Sequence, residues 1–359
     1  MFEMVMRWYK RRFSDPHAVS LVAILLIGFI IIYFFGDLLA PLLVAIVLAY
    51  LLEWPISQLS RCGLPRTLSI MITIASFMGL MLLSIFGLMP VIWQQVGNLF
   101  NDIPKMYTNL QMSLEEILAR YPELANLQIV ESIVTNTKNQ LLSMGESVVK
   151  GSVASLVSLA TLGIYLILVP LLVFFLLKDK RQMLEMAHSF LPKNLKLANK
   201  VWDEMNGQIS NYIRGRALHI VIVGSVNYAA FALLGLHYSV LLAVAVGFSV
   251  LIPYIGAMVV TAPVLIVGLF QWGFAPHFYY LLMVYAIIQA LDGNILVPVL
   301  FSEAINLHPV IIIVSVLFFG GLWGFWGVFF AIPLAALVKA VWSALPSVDE
   351  DSLKLDADS

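Results

Sequence analysis

Long apolar runs separated by short polar stretches make up most of this chain. They fall at about residues 18–35, 38–54, 69–92, 152–177, 217–236, 239–270, 279–300 and 309–342. A helix needs roughly 20 apolar residues to cross a ~30 Å hydrocarbon core, and most of these runs are of that order. The pattern predicts an all-α polytopic membrane protein with about eight apolar segments.

Two runs are interrupted. The middle of 239–270 reads Ile252-Pro253-Tyr254-Ile255-Gly256-Ala257. Proline removes a backbone donor there, and glycine loosens the helix. The last run carries Gly320, Gly321, Gly324 and Gly327 among Trp323, Phe325 and Trp326, with Pro333 following. Gly320 and Gly324 form a GxxxG pair, which lets helices approach closely. In lipid, freed backbone groups need protein partners or water. Each break therefore predicts either a kinked span or a re-entrant helical hairpin, and interrupted helices often line transporter sites.

Two polar stretches are helical by pattern. Ile103, Met106, Leu110, Leu114 and Ile117 form one apolar stripe up to Tyr121-Pro122, and a second helix is expected at about 124–149. This pair is read as a surface hairpin, or more sharply as a cap or homo-oligomer contact. After Pro192, the residues Ala198, Val201, Met205, Ile209 and Ile213 line another face. Lys193, Lys196 and Lys200 on that helix form a solvated basic face or meet anionic lipid head groups.

Charge orients the segments. Arg7, Lys10, Arg11 and Arg12 precede the first apolar run. The arrangement imitates a secretion signal. The run is too long for a signal core, however, no small-x-small site follows, and a second run begins at Leu38. The basic cluster is therefore expected to hold the N-terminus in the cytoplasm. The stretch 94–150 has four basic against six acidic residues and is expected outside. The stretch 178–216, with Lys178, Lys180, Arg181, Lys193, Lys196, Lys200, Arg214 and Arg216, is expected inside.

Composition narrows function by exclusion. The chain is 61% hydrophobic and 11% charged, with net charge -1, so nothing global attracts nucleic acid. Cys62 stands alone, which permits no intrachain disulfide and no cysteine metal cluster. The six histidines form no HxH or HExxH pair, and no Walker loop, GxGxxG after a strand or GxSxG is present. No enzymatic or ATP-driven reading and no cofactor is implied.

From Ala217 to Val338 there is no lysine or arginine, and Asp292 and Glu303 are the only acids. A carboxylate in lipid is expensive and defaults to a functional candidate. Gln289 and Asp292 are three apart and share a helix face, and with Asn294 they form the densest polar cluster of that half. A carboxyl so placed can exchange a proton or pair with a cation. The plainer reading is a structural aspartate bonded to a neighbouring broken helix. Glu303, after Ser302, suits the opening of a helix, where an acid favours the dipole. His308 marks a turn before Pro309. Asn227, in mid-span, is a binding candidate or interhelical glue.

Several pieces occur together: Val169-Pro170-Leu171-Leu172-Val173-Phe174-Phe175-Leu176-Leu177-Lys178-Asp179, Tyr212-Ile213-Arg214-Gly215, Ile252-Pro253-Tyr254-Ile255-Gly256, Asp292-Gly293-Asn294 and the stretch from Gly320 to Pro333. In that order they resemble the autoinducer-2 exporter family, most closely its PerM-like permeases. The resemblance implies a multi-spanning inner-membrane permease. One branch of the family is linked to export of a signalling furanone, another to exchange of sodium or lithium for protons. Two departures stand out: Asp292 where many members have glutamate, and Arg216 where glutamine is frequent.

The expected organisation is 1–92, N-terminal membrane helices; 93–150, an external (periplasmic) amphipathic segment; 151–345, a permease core with the cytoplasmic segment 178–216; and 346–359, an acidic tail. The expected function is a secondary inner-membrane permease or exporter of a small polar solute. A cation/proton antiporter and a non-transport oligomeric scaffold are the alternatives. The binding candidates are Asp292, Gln289, Asn294, Pro253, Tyr254, Gly256, Gly320, Gly324, Asn227 and Glu303, with lipid, a solute or cation, and a second copy of the chain as partners.

Overall fold

A computed structural model of the chain describes residues 16–120, 155–189, 196–301 and 307–344. Among these residues every regular element is a helix. In chain order they are α1 (Pro16–Arg61), α2 (Arg66–Arg120), α3 (Ser155–Lys178), α4 (Lys180–Ser189), α5 (Lys196–Leu233), α6 (Ser239–Ser249), α7 (Ile255–Trp272), α8 (Pro276–Leu291), a π-helical turn at Asp292–Leu296, α9 (Val297–Phe301), α10 (Pro309–Phe329) and α11 (Ala331–Ala344). Among the described residues six helical stretches are long and apolar enough to cross a membrane, and shorter apolar helices accompany them. Large side chains such as Phe34, Leu83, Phe86 and Met258 are about three-quarters exposed, as lipid-facing residues are.

Two long helices differ from the expected segmentation. The runs at 18–35 and 38–54 lie on one 46-residue helix that contains Pro41 and Pro55. The run at 69–92 and the first external stripe lie on one 55-residue helix that contains Pro90 and Pro104. Proline ends helices in water, but in membrane proteins the freed backbone groups are re-satisfied locally and the helix continues. Of the stripe, Met106 is buried in the core of the second unit described below. The side chains of Ile103, Leu110, Leu114, Ile117, Lys196 and Lys200, together with Lys193, the second external helix and the 346–359 tail, lie outside what is described.

The chain divides into two compact units. The first comprises Met1–Ile74, Leu168–Gly215 and Phe301–Ser359. Val201, Met205 and Ala336 form one of its apolar clusters, joined by Leu25, Ile209 and Leu337. Tyr212 Oη donates to the carbonyl of Phe329 at 2.8 Å. Tyr50 Oη donates to Asn206 Oδ1 at 2.7 Å. Here α10 turns back into α11. Gly324 takes φ 56°, ψ −129° and breaks α10. A Cβ on Gly327 would overlap the Phe319 carbonyl, so only glycine lets the returning strand of chain lie that close.

The second unit comprises Ala75–Ile167 and Arg216–Leu300. Its core gathers Val223 and Phe231 from α5, Leu242, Ala243 and Val246 from α6, Val260, Val264 and Val267 from α7, and Leu281 and Tyr285 from α8. Close approaches occur at two glycines. A Cβ on Gly247 would lie 3.1 Å from Gly224 Cα, which brings α6 onto α5, and one on Gly268 would overlap Leu281, which brings α7 onto α8.

Within this unit α6 and α7 form a hairpin. Eleven residues give α6 a length of about 16 Å, roughly half of a ~30 Å core. The ends of the two arms away from the tip are tied together: Gln271 Nε2, near the end of α7, donates to the Gly235 carbonyl at 2.8 Å, and its Oε1 accepts from His237 N at 2.7 Å. The tip is the sequence break itself. Leu251 N bonds Phe248 O, Ile252 N bonds Ser249 O and Gly256 N bonds Ile252 O, so the turn satisfies much of its own backbone. Tyr254 takes φ 61° there. A Cβ on Gly256 would overlap the Ser249 carbonyl, so the return arm needs glycine at that point.

Candidate functional site

Asp292 ends the regular part of α8 and opens the π turn. Such turns are rare and frequent at functional sites, because the extra residue re-aims a side chain. His219 on α5 meets the carboxyl: His219 Nε2 lies 2.6 Å from Asp292 Oδ1, with the two side chains 3% and 15% exposed. The partner of the acid in the lipid-embedded half is thus an imidazole 73 residues away in sequence.

His219 belongs to a continuous helix face. His219, Val223, Asn227 and Phe231 recur every four residues on α5 and all are buried. The far end of this face reaches α8 as well, where the rings of Phe231 and Tyr285 sit 6.1 Å apart. Asn227 lies between these two anchors and is fully buried. Its Nδ2 donates to the Val223 carbonyl at 2.8 Å, back onto its own helix. Its Oδ1 has no hydrogen-bond partner among the described residues. A buried acceptor left unmade is costly, so this atom is a second polar point on the α5–α8 seam.

Gln289 does not reach Asp292 with its amide. Its Nε2 donates to Tyr285 Oη at 2.6 Å, and that hydroxyl lies 3.2 Å from Thr261 Oγ1 on α7. A chain of hydroxyl and amide groups therefore runs from α8 to the hairpin. Asn294 is exposed, and its Nδ2 donates to the Ala290 carbonyl at 2.8 Å. The two amides near Asp292 in sequence thus serve neighbouring backbone or phenol rather than the carboxyl.

The hairpin tip enters through Arg216. Its Nη1 donates at 2.5 Å to the carbonyl of Val250, the residue that closes α6. Arg216 is three residues before His219 and is itself buried. Pro253, Tyr254 and Gly256 shape the tip, with Tyr254 about half exposed.

The remaining candidates separate. Gly320 and Gly324 shape the α10–α11 turn of the first unit. Glu303 and Ser302 lie outside the described residues. His308 caps α10, accepting from Val310 N on its Nδ1 at 3.3 Å. No group of three His, Cys, Asp or Glu side chains that could hold a metal ion occurs among the described residues.

Sequence reasoning overlooked His219 and left Arg216 without a role. The signal for both was present. His219 is the first titratable residue of the span without lysine or arginine, and Arg216 stands immediately before that span. A search for Lys or Arg counter-charges passes over a neutral-capable imidazole.

What the site can do is bounded by its chemistry. A carboxyl and an imidazole in hydrogen-bond contact can pass a proton, release a cation, or present a donor and an acceptor to a polar solute. The described residues include no second carboxyl beside Asp292.

A family profile described as AI-2E family transporter matches residues 22–347. The chain is 57% identical over 346 residues to "Putative permease PerM" of Escherichia coli (strain K12), covering 96% of this chain and 98% of that protein. It is 28% identical over 320 residues to "Putative transport protein YueF" of Bacillus subtilis (strain 168), covering 86% and 84%. It is 26% identical over 305 residues to "Putative transport protein YrrI" of the same organism, covering 84% of each. With helices of membrane-crossing length along the chain and a profile match over nearly all of it, this multi-pass membrane protein belongs to the AI-2E transporter family.

Proposed function

We propose that the protein is a secondary permease of the inner membrane, N-terminus in the cytoplasm, that moves a small polar solute by alternating access without a bound cofactor. Asp292 and His219 form the working pair of its site, with Asn227, Gln289 and Tyr285 as further polar contacts along the α5–α8 seam. The observation that carries this reading is the contact between Asp292 and His219, 2.6 Å apart and largely buried, beside the tip of an interrupted helix pair. Intramembrane ionisable residues mark solute or ion paths, and broken helices in transporters supply backbone groups to such sites.

A transport screen in proteoliposomes tests the reading. Asp292→Asn keeps the shape and a hydrogen-bonding group but cannot exchange a proton. Accumulation of a solute by wild type and its loss in a normally inserted Asp292→Asn protein is the expected result. Full transport with an unchanged pH profile in that variant removes Asp292 from the mechanism.

Cation/proton antiport is the second reading, favoured by one feature: the acid's partner is itself a proton carrier. A cation at Asp292 would displace the His219 contact and release a proton. Sodium-driven pH change inside vesicles distinguishes it from solute transport.

A further inference from the structure

Two amides stand on the α5–α8 seam, and the bonds around each leave it one orientation. Asn227 Nδ2 lies 2.8 Å from the Val223 carbonyl. A carbonyl only accepts, so the nitrogen must face it and Oδ1 must face away. That oxygen is buried and has no partner among the described residues. Gln289 is fixed by a longer chain of bonds. Thr261 Oγ1 gives its one proton to the Ala257 carbonyl at 2.7 Å. In its 3.2 Å contact with Tyr285 Oη the phenol must therefore donate. With its proton used, Tyr285 Oη can only accept from Gln289, at 2.6 Å. Gln289 Nε2 thus faces the phenol, and Oε1 is the end of the amide turned away from it.

Both amides belong to the same stretch of the seam. Asn227 is one turn from Phe231 and Gln289 one turn from Tyr285, and those two rings sit 6.1 Å apart. Each of these turns runs toward the contact between His219 and Asp292. Tyr285, Gln289 and Asp292 share a face of α8, as His219, Val223, Asn227 and Phe231 do on α5. Between its two contacts the seam therefore carries amide oxygens, with the carboxyl at one end. Arg216 stands eleven residues before Asn227, about 16 Å away along α5. A buried acceptor left unmade costs free energy, and native proteins rarely keep one unless something outside the chain completes it.

We propose that Asn227 Oδ1 and Gln289 Oε1 form a solute subsite that selects hydrogen-bond donors. Its ligand carries hydroxyl or amino groups and no negative charge. A carboxylate or phosphate brings acceptor oxygens against acceptor oxygens and is rejected. Thr261 and Tyr285 are positioning residues: they dictate which end of the Gln289 amide meets the ligand. Without Thr261 as acceptor, the phenol can turn its proton to Gln289, and the amide turns over to receive it. The subsite rests on the reading of the seam as a permease's solute site, and it adds which solutes are taken.

The test reads binding without transport. Full-length protein in detergent is melted alone and with glycerol, ethanolamine or glycerate, each at ~10 mM, enough to fill a site of ~1 mM dissociation constant. At least one of the two donors, glycerol or ethanolamine, is expected to raise the melting temperature by about 1–3 °C. A rise with glycerol alone assigns a hydroxyl ligand, and one with ethanolamine alone an amine. Glycerate, which sets a negative charge beside the same hydroxyls, should give no rise. Asn227→Leu and Gln289→Met should each lose the rise, the second serving where the first does not fold. Thr261→Val should lose at least half of it, and Thr261→Ser, which keeps the hydroxyl, should retain it. No rise with either donor means that water alone meets Asn227 and overturns the subsite. An equal rise with glycerate overturns the donor selection. An undiminished rise in Gln289→Met or in Thr261→Val overturns the part given to that amide and its positioning chain. None of these results depends on whether Asp292→Asn transports, so the permease reading fails or stands separately.

Discussion

Tyr238 stands at the N-cap of α6 with φ 58°, a left-handed conformation that costs a residue with a Cβ about 1–3 kcal/mol. What holds it there is specific. Its hydroxyl donates to Asp102 Oδ2 at 2.8 Å, and Lys105 Nζ lies 3.3 Å from Asp102 Oδ1. Nearby, Gln95 Oε1 accepts from Leu241 N at 2.8 Å, satisfying an orphan donor of the first turn of α6. Gln95, Asp102, Lys105 and Tyr238 lie beyond the apolar runs. Burial, followed by the Asp102 bond, pushes the Tyr238 phenol well up. The Tyr238 bond and then the Lys105 bond hold the Asp102 carboxyl below its ordinary value. The sign follows: a carboxyl whose folded value is depressed stabilises above its unfolded value of about 4 and loses that contribution as pH falls through the folded value. Wild type in detergent should therefore lose thermal stability on acidification below about pH 4, and Tyr238→Phe should lose less over that range. At pH 7 the variant should be less stable by about 1 kcal/mol, a modest figure because Asp102 is partly exposed. Parallel acid curves for the two proteins would show that the bond contributes nothing. This contact was not legible in the sequence, since it joins Asp102 to a residue 136 positions away. Asp292 was legible because apolar surroundings make any acid conspicuous, and His219 stands out in the same span once an imidazole is counted among its partners.

The helix breaks show which sequence signals survive in lipid. Pro253 and Gly256 together make a real turn, because Gly256 packs on the Ser249 carbonyl where no Cβ fits. Pro41, Pro55, Pro90 and Pro104 lie inside unbroken helices, and the nearby Gly36 and Gly87 have open space where a Cβ would go. Proline alone is therefore a weak stop signal here. The hairpin supplies a direct check. Gly256→Ala should displace the tip and give aggregated or poorly expressed protein. Gly207→Ala, with nothing within 4 Å of its Cβ and mid-helix on α5, should be neutral or stabilising by a few tenths of a kcal/mol to about 1 kcal/mol. Fluorescence-detected gel filtration of both variants distinguishes them. A monodisperse Gly256→Ala protein at wild-type yield would mean that the α6–α7 turn accommodates a methyl group, and the close packing argued for it would be wrong.

Across the whole chain, orientation rests on charge and length together. At 1.5 Å per residue the 55 residues of α2 measure about 80 Å, more than twice a ~30 Å core. One end must project far beyond the membrane. The apolar run ends near Ile92, so the projecting end is the one that carries Asp102 and continues to Arg120. Lysine and arginine are retained on the cytoplasmic side. In the proposed orientation the basic excess of 178–216 and the cluster at Arg7–Arg12 lie inside, and the projecting end, poorer in lysine and arginine, lies outside. Beyond Arg216 the rule has no residues to count until Lys339, so the hairpin takes its side from its contacts: Gln95 and Asp102 bind α6 at its outer end. The assignments therefore make one joint prediction. In a Cys62→Ser background, needed because Cys62 is exposed, Arg120→Cys and His237→Cys should react with an impermeant thiol reagent from outside. Gln182→Cys should react only after the membrane is opened. Reaction of Arg120→Cys from the cytoplasmic side alone would invert the topology. Reaction of Arg120→Cys and His237→Cys from opposite sides would detach the hairpin from α2 and remove the basis for its entering and leaving by one face.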